Sequence, residues 1–153
     1  MALLNLNPVA PQVRLNATST AALDGTLEVS LLPNLAAAGQ TFPAMTFGAS
    51  TGSFSSNVGL QLDGGLWLRP AFTAHELTLT VESAPKFLTP EFTAGGFKLQ
   101  WQAAPGVTCL LDASTNLVDW TTLISINTPD GLGVYVDADS LVMPRRFYRL
   151  TPQ

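Results

Sequence analysis

The stretch GTLEVSLL, residues 25–32, alternates apolar and polar side chains without a break. Successive side chains leave a strand on opposite sides, so a period of two marks a strand with one buried face. Leu27, Val29 and Leu31 fall on one face, and Thr26, Glu28 and Ser30 on the other. HELTLTVES (75–83) repeats the pattern with Leu77, Leu79 and Val81. GGFKLQWQ (95–102) directs Phe97, Leu99 and Trp101 inward and Lys98, Gln100 and Gln102 outward. Between these lie TFPAMTFG, GSFSSN and GGLWLRPAF, which read as short strands separated by glycine turns. Helix signals are poor. Pro33 and Gly39 bracket PNLAAAGQ too closely for more than a loop or one turn, and STNLVDW (114–120) has room for one helical turn capped by Ser114 or Thr115. The fold class expected is all-β.

Bulk composition narrows the function classes. The 153 residues are 46% hydrophobic and 12% charged, with a net charge of −4. That is too apolar for disorder. Nucleic-acid binding needs clustered cations to neutralise phosphates, and the sole basic cluster is Arg145–Arg146 with Arg149. No nucleic-acid partner is expected, nor attraction to anionic lipid. No run approaches the roughly 18 apolar residues of a membrane helix, so no membrane insertion is expected. The opening MALLNLNPVAPQVRLN has no basic n-region and does not read as a signal peptide. Two settings fit: an intracellular protein, or a piece of a longer secreted one. The single cysteine, Cys109, alternates with Val107 and Leu111 and reads as a core thiol.

Within VESAPKFLTPEF (81–92) the strand pattern ends before two prolines in quick succession, which mark a boundary around Ser83–Pro85. The expected organisation is an N-terminal extended segment at 1–14, a β unit at 15–83 and a second at 84–153. Units of this size without disulfides have marginal cores.

Beyond composition, the residues carry a resemblance. LNATSTAALDGTLEVSLLPNLAAAGQTFPAMTFGASTGSFSS, followed by GLQLDGGLWLRPAFTAHELTLTV, resembles the segment that closes β-helical passenger regions in autotransporter-like adhesins, across about Leu15–Val81. The second half is similar to a short C-terminal β-sandwich module found in large surface proteins of Verrucomicrobia and Planctomycetes. That likeness rests on FKLQW from Phe97 to Trp101, on Gly106, on Ser114, Leu117, Trp120 and Leu123, on Asp137, and on RFYR from Arg146 to Arg149. Cys109 departs from the pattern, which has Tyr there. The resemblance implies a β-helix-cap-like or sandwich segment followed by an immunoglobulin- or fibronectin-III-like β-sandwich. It implies an extracellular or cell-surface setting in bacteria and a structural or adhesive role, and it brings no catalytic residue.

Candidate sites follow. In GGLWLRP, Trp67 and Arg69 share a face opposite Leu66 and Leu68, and an exposed Trp beside an Arg could stack on a sugar ring. Packing within the protein is the competing reading. Asp137 and Asp139 in VYVDADS are weak calcium candidates at a strand end, without the D-x-D-x-D-G loop of a dedicated site. In DASTNLVDWTTL (112–123), Asp112, Ser114, Asn116 and Asp119 read as turn-formers and Trp120 as a core plug. In RRFYRL (145–150), Phe147 inward would send Arg146 and Tyr148 outward together. An arginine left on the core face would need Asp137 or Asp139 as partner. His75, the sole histidine, sits in the turn TAHE, where no catalytic triad can be assembled.

The expected function is a noncatalytic structural or adhesive module of a secreted bacterial surface protein. It could join other copies into a filament or fibre by β-strand addition, with residues 1–14 as the candidate donor strand. Its partners would be further copies of itself or the rest of a longer surface protein. The alternative is a carbohydrate-binding module using exposed tryptophan, with glycans as partners. Neither reading requires a cofactor or an enzyme activity.

Overall fold

The computed structural model describes residues 2–6, 15–31 and 36–153, and among these the regular structure is β-strand apart from two 3-10 turns at Asp63–Gly65 and Ala138–Leu141. It divides into two units, Met1–Ser83 and Ala84–Gln153.

Unit 1 begins with β1 (Ala2–Leu6), β2 (Leu15–Leu23), β3 (Thr26–Leu31), β4 (Thr41–Gly52) and β5 (Ser56–Val58). β1, β3 and β5 form one sheet, and both pairings are parallel. β2 and β4 pair in parallel in a second sheet. The chain therefore alternates between two sheets and returns each time one coil further on: Ala2 lies opposite Leu27, Leu15 opposite Met45, and Thr26 opposite Ser56. Three further strands of unit 1 follow, β6 (Gln61–Leu62), β7 (Leu66–Phe72) and β8 (Glu76–Ser83). These three reverse the direction: β8 pairs antiparallel with β4, β7 with β8, and β6 with β7, giving the order β2-β4-β8-β7-β6.

The core of unit 1 lies between its two sheets. Leu27 and Val29 of β3 meet Phe42, Ala44, Met45 and Phe47 of β4, Leu68 of β7, and Leu77, Leu79 and Val81 of β8. The alternation expected for these strands holds, while the Leu31 side chain lies outside the described residues. In β4 both Ala44 and Met45 are buried, because a bulge between Pro43 and Met45 inserts one residue and shifts the inward face. Pro43 precedes the ladder with β2 and Pro70 lies past the end of β6, so neither removes a donor from those pairings. The coils approach closely at Gly59, whose φ of +80° suits glycine; a Cβ there would run into the carbonyl oxygen of Val29.

The N-terminal extended segment expected at 1–14 is described over Ala2–Leu6. Ala2–Leu6 is a strand of unit 1's own sheet, with five Cα partners in β3. Residues 7–14 lie outside the described residues.

Unit 2 is a sandwich of two antiparallel sheets. β9 (Lys86–Phe87) and β10 (Glu91–Thr93) both pair with one edge of β11 (Gly96–Gln102). After β12 (Val107–Ser114) and β13 (Thr121–Thr128), β14 (Leu132–Asp137) pairs with the other edge of β11. The second sheet has the order β13-β12-β15, with β15 spanning Phe147–Pro152. Leu99 and Trp101 face Val107, Cys109, Leu111 and Ala113 in its buried interior. Trp101 lies opposite Gly133 on β14, and a Cβ at Gly133 would enter the indole ring.

Candidate functional site

The tryptophans are not platforms. Trp67 is 2% exposed and its indole N–H has no hydrogen-bond partner. Its neighbour Arg69 makes an ion pair with Glu82 at 3.5 Å. The face shared by Trp67 and Arg69 therefore does not present the open ring that sugar stacking requires. Trp101 is buried. Trp120 donates from Nε1 to the carbonyl oxygen of Leu117 at 3.2 Å, and the Arg149 guanidinium covers its ring at 4.3 Å.

The stretch around Trp120 is a self-bonded connection. Ser114 Oγ accepts from the backbone N–H of Asn116 and Leu117. Asn116 Oδ1 accepts from Val118 and Asp119, and its Nδ2 donates to Asp119 Oδ2 at 2.7 Å. These are turn bonds of the kind expected of Ser, Asn and Asp. Leu117 has a φ of +65°, in the left-handed region. Asp112 is buried where it receives Thr122 Oγ1 at 2.7 Å and Arg149 Nε at 2.9 Å.

Asp137 and Asp139 are corrected as calcium candidates. Asp137 is 1% exposed and its carboxylate is already occupied: Oδ1 accepts from the Asp139 N–H, and Oδ2 accepts from the Tyr148 hydroxyl at 2.8 Å and pairs with Arg146 Nε at 2.5 Å. A guanidinium on the same oxygen occupies the place of a second cation. Asp139 is exposed and touches Arg146 only at 3.9 Å. Among the described residues no group of three His, Cys, Asp or Glu side chains is placed to hold a metal. The arginine beside Asp137 is Arg146, and Arg149 goes instead to Asp112. Tyr148, not Phe147, takes the inward face of β15, because it pairs across the ladder with Ala113 and stacks on Phe97 with centroids 5.5 Å apart.

These contacts floor a concavity of about 180 Å³ lined by Phe92, Phe97, Ser140, Met143, Pro144, Arg145, Arg146 and Tyr148. Phe92 meets Phe97 across the β10–β11 ladder with centroids 4.7 Å apart, yet it is 77% exposed. The turn below is fixed by Ser140, whose hydroxyl donates to Asp137 O at 2.6 Å and accepts from Phe97 N–H at 2.8 Å. The Tyr148 hydroxyl is pushed well above its ordinary value of 10.0, first by burial and then by its hydrogen bond to Asp137, so it stays protonated as a donor. Arg145 has no ion-pair or hydrogen-bond partner among the described residues.

Sequence reasoning missed this place. Phe92 stood in a proline-flanked stretch that read as a linker, and only the cross-strand pairing with Phe97 reveals its face. The doubled arginine was the one visible signal. Elsewhere, Cys109 is buried and its thiol is pushed up by burial, with the nearby Trp101 indole acting the other way. His75 Nδ1 lies 2.9 Å from the carbonyl oxygen of Gly48, in the turn before β8. Among the described residues no helix is long and apolar enough to cross a membrane.

Comparison with protein-family models, with curated proteins and with solved structures finds no match to this chain.

Proposed function

We propose that the chain is a noncatalytic structural or adhesive module of a secreted bacterial surface protein, in which unit 1 is the closing end of a parallel β-stack. One observation carries this reading: β1-β3-β5 and β2-β4 stack in parallel coil upon coil, and the antiparallel strands β8, β7 and β6 then end the series. A parallel coil satisfies its backbone groups only against a coil before it and a coil after it. In this chain β4 is covered by β8 on one side, and β1 and β2 stand at the opposite edge of their sheets. That edge is a template for another parallel coil, whether from a longer chain or from a second copy. Unit 2 would then be a sandwich that follows the stack. Its sheets, β9/β10-β11-β14 and β13-β12-β15, have the strand neighbours of an immunoglobulin- or fibronectin-III-like fold, which supports that finer description.

The reading is tested by inserting a second copy of residues 15–40 ahead of Leu15. A stack accepts an extra coil, so the inserted residues should show slow amide exchange and the variant should keep or raise its melting temperature. An insert that exchanges as an unfolded tail would show that unit 1 is a closed sandwich, and the proposal would fall.

A further inference from the structure

Unit 2 is open along one side. Its second sheet ends at β15, which has a strand neighbour only in β12 among the described residues. The inward row of β12, namely Val107, Cys109, Leu111 and Ala113, is buried. The inward row of β15 is Tyr148, Leu150 and Pro152, paired with Ala113, Leu111 and Cys109, and all three are only half-buried. Across from them stands Phe92, on the inward face of β10 because it pairs with Phe97, and 77% exposed. A sandwich does not leave an inward aromatic in water when both sheets have strands over it.

The backbone points the same way. The N–H of Gln153 bonds to the carbonyl oxygen of Thr108. Partners alternate along an antiparallel ladder, so the N–H and C=O of Thr151, Arg149 and Phe147 also face β12. Those of Tyr148 and Leu150 face outward, along with the carbonyl of Pro152. The residues with half-covered side chains are thus the ones with free backbone groups.

We propose that the β15 edge of unit 2 receives an extended segment of a separate polypeptide by β-strand addition. The segment would carry an apolar anchor side chain and, next to it, an acidic residue. Its backbone pairs with Tyr148 and Leu150. The anchor enters the concavity between Phe92, Phe97, Met143 and Tyr148, whose volume of about 180 Å³ suits one large side chain, since a cavity of about 150 Å³ holds a benzene ring. The acidic group meets Arg145, the cation at the rim without a partner, while Arg146 is held by Asp137. Pro152 ends the ladder by offering no N–H, which limits the paired stretch to a few residues.

The test is selection of phage-displayed random twelve-residue peptides on the immobilised full chain, followed by titration of an enriched synthetic peptide into labelled protein. Expected are peptides with alternating apolar positions and an adjacent Asp or Glu, perturbation of the Tyr148 and Leu150 amides, and at least tenfold weaker binding in Phe92→Asp and in Arg145→Glu. Methylating the peptide's backbone nitrogens should abolish binding, which side-chain docking alone would survive. Phe92 and Arg145 are exposed, so both variants should fold, and their circular dichroism checks this. No enrichment, equal binding to Phe92→Asp, or amide changes confined to other strands would overturn the proposal. So would self-association of the chain that Phe92→Asp removes, since the occupant would then be a second copy.

Discussion

Asp137 is the residue on which one end of unit 2 turns. It is buried and answers Arg146, Tyr148 and the Asp139 N–H together. Its removal would strand the Arg146 guanidinium, whose side chain is 11% exposed. Asp137→Ala should cost about 3–5 kcal/mol in urea unfolding, and adding Arg146→Leu should restore part of it, because a broken buried pair is worse than none. The neighbouring hydroxyl makes a second prediction. Tyr148 and Cys109 have folded pKa values raised above their ordinary 10.0 and 9.0. Both groups are neutral when protonated, so their contribution is present in full below pH 9. It is lost as pH climbs from there through the higher folded values. Stability should fall on the alkaline side from about pH 9 upward, and Tyr148→Phe should flatten the part beginning near pH 10. A Tyr148→Phe profile parallel to the parent's would show that this hydroxyl is not the cause. At this scale the sequence made Asp137 readable as an arginine's partner but not which arginine, because the parity of β15 was open by one residue.

Among elements, the connection after β12 and the pairing of β11 with β14 are sensitive to small changes. Leu117 holds a left-handed φ that costs an L-residue roughly 1–2 kcal/mol. Leu117→Gly should relieve that strain, and after the added freedom of the unfolded chain the net gain should be up to about 1 kcal/mol, read as a rise in melting temperature. An unchanged or lower value would mean that the exposed Leu117 side chain contributes more than its backbone loses. Gly133→Ala presses a methyl into the Trp101 ring, and the overpacking should cost about 1–3 kcal/mol by thermal unfolding. Element faces were legible from alternation: Leu27 and Val29, Leu77 to Val81, and Leu99 with Trp101 all point inward as their spacing requires. Element partners were not. A period of two says which side of a strand is buried, and it is silent on whether the neighbour runs parallel or antiparallel. It is also broken by a bulge, as at Ala44.

At the level of the whole molecule, each unit has its own sheets and its own buried cluster. Residues 84–153 expressed alone should therefore give the dispersed amide spectrum of a folded sandwich, though with the modest stability of a small domain. A collapsed spectrum would show that its core needs the first unit. The parallel pairing of β1 with β3 and of β2 with β4 was not legible in the sequence, since the strands that become neighbours are far apart in the chain and nothing local marks their pairing.

The lone thiol adds a last consequence. Cys109 sits in the interior of unit 2, and unit 1 has no cysteine at all. A small alkylating reagent can reach that sulfur only while unit 2 is open, so the course of labelling in native buffer times the openings of one half of the molecule and ignores the other. The chain carries its own stopwatch: at high reagent concentration labelling runs at the opening rate, and at low concentration it counts the fraction open.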